Sequence, residues 1–152
     1  FEPTENINSE RSNHYRKINA KTKDAAYLMA SILNSSLYYF FFKMVSNCRD
    51  LGTKEWANYP VGIVGTGVED ELIRLGMKLE KVLIATASKK SRQYPSGYIE
   101  YFEYYPARAK SEIDEIDRAL ARHYGLSDAE LDFIINYDVK YRMGAELEEG
   151  EE

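Results

Sequence analysis

The apolar residues in the first third of the chain recur mostly at helical spacing. Five of them follow Asp24 with the period of a helix face: Ala25, Leu28, Met29, Ile32 and Leu33. Residues 37–45 are apolar nearly all round, which predicts a second helix, capped by Ser35 or Ser36 and buried on several sides. The stretch 25–42 has no charge, but the Asn-Ser-Ser sequence at 34–36 interrupts it. We therefore predict two short buried helices and no membrane-spanning segment.

The middle of the chain predicts one long amphipathic helix. Its apolar stripe runs from Val68 to Leu83, with acids at 69–71 in the first turn. We place its end at a basic group, Lys89, Lys90 and Arg92, because acids at the start and bases at the finish suit the helix dipole.

The last third alternates turn signals with apolar patterns. A turn at 95–97 leads into an aromatic and acidic segment, 98–105, with strand-like spacing. A helix carrying Ile113, Ile116 and Leu120 should end at Gly125, and a capping box at 127–130 predicts a last short helix. We expect the acids of 112–117 on the solvent face of the first of these helices, and a further short strand at 15–20.

These patterns predict a mainly α fold with a few short β-strands (α+β), arranged as a helical bundle-like domain. Four segments are expected. They are 1–60, ending in the aromatic helix pair; 61–95, a linker and the long helix; 96–144, a strand or arm followed by helices; and 145–152, an acidic disordered tail.

Charge is unevenly distributed along the chain. The whole chain carries −5 at pH 7, but residues 1–95 have 14 Lys/Arg against 10 Asp/Glu, and residues 96–152 have 6 against 15. Because DNA binding depends on local potential, the acidic total does not exclude a DNA partner. The single cysteine, Cys48, fits a reducing compartment, and we predict a cytoplasmic location. The start at Phe1, without Met or a leader, suggests a piece of a longer protein.

The residue types needed for catalysis are sparse. Only His14 and His123 are present, and His123 falls at the end of a predicted helix, where a cation complements the dipole. Cys48 has no CxxC partner for zinc, and the glycines of 61–67 lack the Lys-Ser/Thr of a phosphate loop. We therefore predict no catalytic residue, metal or cofactor in this chain.

Clusters of cations are the better candidates for contact with phosphates. Singly, each is most simply an ordinary exposed cation, but together they could position a DNA backbone. The candidates are Arg16, Lys17, Lys21, Lys23, Arg49, Lys54, Lys89, Lys90 and Arg92.

Two segments resemble a known family. The sequence ILNSSLYYFFFKMVSNCRDLGTKEWANYPV (32–61) is similar to the region after the target-recognition part of bacterial N6-adenine DNA methyltransferases, including fused type IIG restriction–modification enzymes. The sequence EIDEIDRALARHYGLSDAELDFIINYDVKYRMG (112–144) is similar to the C-terminal tail of many of the same proteins. Residues 98–111 lie where related sequences lead into that tail.

The resemblance implies a non-catalytic, C-terminal part of a site-specific adenine methyltransferase. Such enzymes use S-adenosylmethionine at a Gly-rich motif and an Asn-Pro-Pro-aromatic motif to hold a flipped adenine. Neither motif is present, since Asn58-Tyr-Pro60 lacks the second proline. The implied cofactor therefore belongs to the longer protein, and the implied partners are duplex DNA and the remainder of that protein. Asn34, Ser35, Arg49 and Asp50 match the motif, and we expect them to hold the helix pair, with Arg49 possible as a phosphate contact.

Two other functions remain as alternatives. The chain could be a structural module that docks on the rest of its protein without contacting DNA. An independent small enzyme would need the acids of 112–117 to meet His123 in a cleft. It is also open whether the longer protein cleaves DNA.

Overall fold

The computed structural model describes residues 18–49, 51–62, 66–95 and 97–139. It contains six α-helices, namely α1 (Lys23–Leu33), α2 (Ser36–Val45), α3 (Thr53–Ala57), α4 (Glu69–Thr86), α5 (Lys110–Tyr124) and α6 (Asp128–Asn136). Strands β1 (Ser88–Tyr94) and β2 (Gly97–Glu103) form an antiparallel hairpin, and a 3-10 helix spans Pro106–Ala109. The prediction of a mainly α protein with a few short strands is confirmed.

The core lies where α1, α2, α4 and α5 meet. The stripe predicted on α4 faces it, with Leu72, Leu79 and Leu83 buried. Ile116 and Leu120 of α5 are fully buried against them. Burying apolar side chains of this size supplies the main stabilising free energy of such a body. The core draws on three of the four predicted segments of the chain.

Close packing of α1 on α4 depends on a glycine. A Cβ added to Gly76 would lie 2.3 Å from the Tyr27 carbonyl oxygen. The two helix backbones can approach this closely only because residue 76 has no side chain. The Tyr27 hydroxyl donates a hydrogen bond of 3.0 Å to Glu80, one turn further along α4.

The predicted helix ends near Asn34 and Gly125 are confirmed. Asn34 ends α1 and Ser35 precedes α2, so the chain breaks where the Asn-Ser-Ser sequence predicted. Gly125 ends α5 in the left-handed conformation, and the capping box of Ser127 and Glu130 starts α6.

Three expectations were wrong. The long helix stops at Thr86, and Lys89, Lys90 and Arg92 lie on β1, because the next residues pair with β2. The acids of 112–117 do not all face solvent, since Glu112 and Asp117 are buried. Residues 18–20 have no regular structure, while 15–17 of that predicted strand lie outside the described residues.

Within the described ranges, no single helix has the length and apolar composition to cross a membrane. Helices α1 and α2 together have the required length and apolar composition, but their axes are bent by 68° relative to each other.

Candidate functional site

The junction between α1 and α2 is built from polar side chains that are almost all buried. Asn34 is exposed and donates from Nδ2 to the Ala30 carbonyl at 2.7 Å, which closes the end of α1. The Ser35 hydroxyl donates to the Ile32 carbonyl at 2.7 Å and accepts the Tyr38 N–H at 3.0 Å. One serine thus satisfies the last turn of one helix and the first turn of the next.

Asp117 of α5 completes this junction from the other side of the core. Its carboxylate oxygen Oδ1 accepts the backbone N–H of Ser36 at 2.8 Å and of Leu37 at 3.3 Å. The Asp117 side chain is fully buried, and the two backbone N–H donors at the positive end of α2 satisfy its Oδ1. A carboxylate 81 residues away in sequence therefore fixes where α2 starts.

The sequence contained a signal for Asp117 that the prediction missed. Asp117 lies four residues after Ile113 and three before Leu120, so helical spacing puts it on the core face. The prediction instead placed it with its acidic neighbours on the solvent side of an amphipathic helix. The helix N-terminus that justifies its burial becomes visible only when α2 and α5 are placed together.

A second set of contacts joins α2 to α6 and to the two residues that follow it. Lys43 lies 3.2 Å from the Asp138 carboxylate, and the hydrogen bond that Lys43 donates to Asp138 raises the pKa of Lys43. The Phe40 ring packs edge-on against Phe133 and Tyr137, with ring centroids 6.0 Å and 5.1 Å apart. One side of α2 is therefore covered by α6 and Tyr137.

An aromatic cluster covers the inner side of α2. Tyr59 packs edge-on against Tyr38 and Phe41, with centroids 5.2 Å and 5.1 Å away, and is 6.2 Å from Tyr124. Burial raises the pKa of the Tyr59 and Tyr124 hydroxyls, which therefore stay protonated. The Tyr124 hydroxyl donates to the Pro60 carbonyl at 2.9 Å. These rings pack the fold and offer no nucleophile.

The candidate cations lie on several elements. Lys21 precedes α1, and Lys23, in its first turn, holds its Nζ 5.6 Å from the centre of the Tyr27 ring. Arg49 and Lys54 are exposed on either side of Leu51, and the Arg49 backbone N–H bonds to Asn47. Arg16, Lys17 and Asp50 lie outside the described residues. Among the candidate cations that the structure describes, only the three of β1 share one element.

Those three cations have different surroundings on the hairpin. Lys89 forms an ion pair of 2.7 Å with Glu100, whose hydrogen bond raises the Lys89 pKa. Lys90 lies 3.8 Å from Glu103. Arg92 donates to the Tyr94 hydroxyl at 3.4 Å and has no acidic partner in the described part of the chain.

The residues considered for catalysis do not form a site. Glu112 is held by Lys78 at 3.5 Å and by the Ser111 hydroxyl at 2.8 Å. His123 stacks edge-on with Tyr124 at the end of α5. Within the described ranges, no three His, Cys, Asp or Glu side chains come together as metal ligands. No protein-family model, curated protein or solved structure matches this chain.

Proposed function

We propose that this chain is a non-catalytic, C-terminal scaffold module of a site-specific N6-adenine DNA methyltransferase of the restriction–modification kind. Its role is to seat the DNA-recognition part of the longer protein. S-adenosylmethionine and the catalytic motif belong to that longer protein, which acts on duplex DNA. The resemblance of residues 32–61 and 112–144 motivates the proposal.

One observation supports it above the others. The two resembling segments are far apart in sequence, yet they are joined by the Asp117 hydrogen bonds to Ser36 and Leu37. The Lys43–Asp138 ion pair and the Phe40 ring contacts join them again at the far end of α2. Two segments that occur together in the proteins of one family are expected to form one structural unit. The contacts between residues 32–61 and 112–144 are consistent with this expectation.

The test uses the longer protein with labelled S-adenosylmethionine and mixed-sequence duplex DNA. N6-methyladenine should form, as measured by mass spectrometry of the digested DNA. Asp117→Ala should reduce methylation at least about tenfold while cofactor binding persists, because it loosens the α1–α2 junction. Asp117→Asn retains an acceptor oxygen and should restore much of the activity.

The matched control is Arg118→Ala, the exposed neighbour of Asp117 on α5, which should leave methylation unchanged. Absence of N6-methyladenine from the reaction of the longer protein would refute the proposal. An equal loss with Arg118→Ala would refute the role given to Asp117.

A second candidate is a structural module that docks on its own protein without touching DNA. The aromatic residues of α2 do not supply such a surface, since Tyr38 is buried and Phe41 and Phe42 are half-buried. Exposure lies instead at Met44 and Val45, which are 66% and 55% exposed. Under this alternative, reversing the charges of Lys89, Lys90 and Arg92 leaves DNA binding by the longer protein unchanged.

A further inference from the structure

We propose that the β1–β2 hairpin binds single-stranded DNA through one face, formed by Lys90, Arg92, Tyr94 and Tyr101 and called the arginine face below. This goes beyond the proposed scaffold role, which requires no DNA contact by this chain. Charge, exposure and strand register support it independently.

The charge of the hairpin end differs from that of the rest of the chain. Residues 81–110 carry six Lys/Arg and two Asp/Glu, in a chain whose net charge is −5. Arg108 lies beside the hairpin base, where it donates to the Thr86 carbonyl at 3.0 Å, whereas Lys110 is paired with Asp114 on α5. An excess of cations in an otherwise acidic protein favours a polyanionic partner at this end.

The hairpin stands apart from the helical core. Its strands pack chiefly on each other, and several rings on it remain accessible. On the arginine face, Tyr94 is 39% exposed and Tyr101 is half-buried, whereas Tyr98, 56% exposed, and Phe102, 42% exposed, lie on the other face. Large exposed rings on a two-stranded ribbon stabilise the fold little, which leaves them available for contact with a ligand.

The strand register divides the side chains into two faces. Lys90 pairs with Tyr101 and Tyr94 with Gly97, so these residues and Arg92 between them share a face. The acid on that face is Glu103, at the base opposite Ser88 and 3.8 Å from Lys90, so the excess positive charge of the face comes from Arg92. The other face carries Lys89, whose charge is matched by Glu100 at 2.7 Å. The arginine face therefore has the greater local positive charge.

Cations beside exposed rings suit single strands better than a duplex. Phosphates can contact Lys90 and Arg92, while an unpaired base stacks on the exposed Tyr94 and a second base on the accessible part of the half-buried Tyr101. In a duplex, the bases are already stacked on each other and cannot stack on these rings. A protein ligand could also pack on the rings, but its interaction with the cations would be weaker than that of a phosphate backbone.

The experiment measures fluorescence anisotropy of labelled dT20 and of a 20-base-pair duplex with the complete chain, over a salt series. We expect tighter binding to dT20, weakening as salt rises. Lys90→Gln/Arg92→Gln should reduce the slope of log K against log salt by about 1.4, the value for two phosphate contacts on a single strand. Arg74→Gln/Arg118→Gln removes the same charge from α4 and α5 and should leave the slope unchanged.

A second pair of variants tests the stacking. Tyr94→Ile should weaken dT20 binding about fivefold or more, because one stacked base is lost. Tyr98→Ile makes the same change on the opposite face and should change affinity less than about twofold. Ile suits a strand, and circular dichroism verifies that each variant folds.

Equal or tighter binding to the duplex would overturn the proposal, as would equal effects of the two tyrosine variants or the two charge variants. These results are independent of the scaffold role. Adenine methylation by the longer protein without dT20 binding by this chain would refute the hairpin proposal alone. Binding of dT20 without methylation would refute the scaffold proposal alone.

Discussion

The helical body and the β1–β2 hairpin are held together by different interactions. In the body, Leu72, Ile116 and Leu120 are fully buried, and even the polar Asp117 lies inside. In the hairpin, the stabilising contacts are backbone pairing and surface ion pairs such as Lys89–Glu100. Since exposed ion pairs contribute little, the body should determine stability, and hairpin side chains are free to serve binding.

The largest contrast is expected from truncating one apolar side chain in each region. Leu79→Ala leaves a cavity beside a residue that is 1% exposed, and should lower the free energy of unfolding by about 2–5 kcal/mol. Phe102→Ala, on the hairpin, should lower it by less than about 1 kcal/mol. Urea unfolding followed by circular dichroism measures both. Similar losses would show that the hairpin belongs to the core.

A smaller effect is expected where α1 meets α4. Glycine to alanine usually stabilises a helix, by about 1 kcal/mol. Gly76→Ala should instead destabilise the protein by about 1–3 kcal/mol, because the new methyl group would meet the Tyr27 carbonyl.

The control for this change is Ala85→Gly on the exposed side of the same helix. Because residue 85 lies in the last turn of α4, this change should cost less than about 1 kcal/mol through helix propensity alone. A gain in thermal stability for Gly76→Ala would contradict the close approach of the two helices.

The smallest effect concerns pH. Burial alone would raise the pKa of Glu112, but the Ser111 hydroxyl, the backbone and Lys78 together hold it below its ordinary value of 4.5. The stabilisation from Glu112 is therefore present above pH 4.5 and is lost as pH falls through the lower folded-state pKa. Glu112→Gln should destabilise the protein at pH 7, with the difference from wild type shrinking towards pH 3.

Glu100→Gln removes the same charge from the hairpin and should have no measurable effect on unfolding at either pH. A Glu112→Gln difference that grows on acidification would show that the sign of the Glu112 shift is wrong.

Local chemistry explains which elements were predictable from sequence. The break at Asn34 and the end at Gly125 follow from residues that act within one turn. Residues 89–92 form a strand because they pair with residues 97–103, which are distant in the predicted helix pattern. The local sequence alone was equally consistent with a basic helix end. The junction also escaped prediction because Asp117 and Ser36 meet only in the folded core. The candidate cations could be identified from sequence because they are Lys and Arg. Their acidic partners on the hairpin, Glu100 and Glu103, depend on the strand register, which the sequence did not predict.

Asp117 joins residues 32–61 and 112–144 into one structural unit through its hydrogen bonds to the Ser36 and Leu37 amides. Hydrogen exchange of the Ser36 and Leu37 amides tests this claim directly, by NMR. In the wild-type protein, these amides should exchange only through global unfolding, and in Asp117→Ala through faster local opening, with the amides of α4 still protected. Asp117→Asn should lie between the two. Rapid exchange of both amides in the wild-type protein, or unchanged protection in Asp117→Ala, would contradict the account.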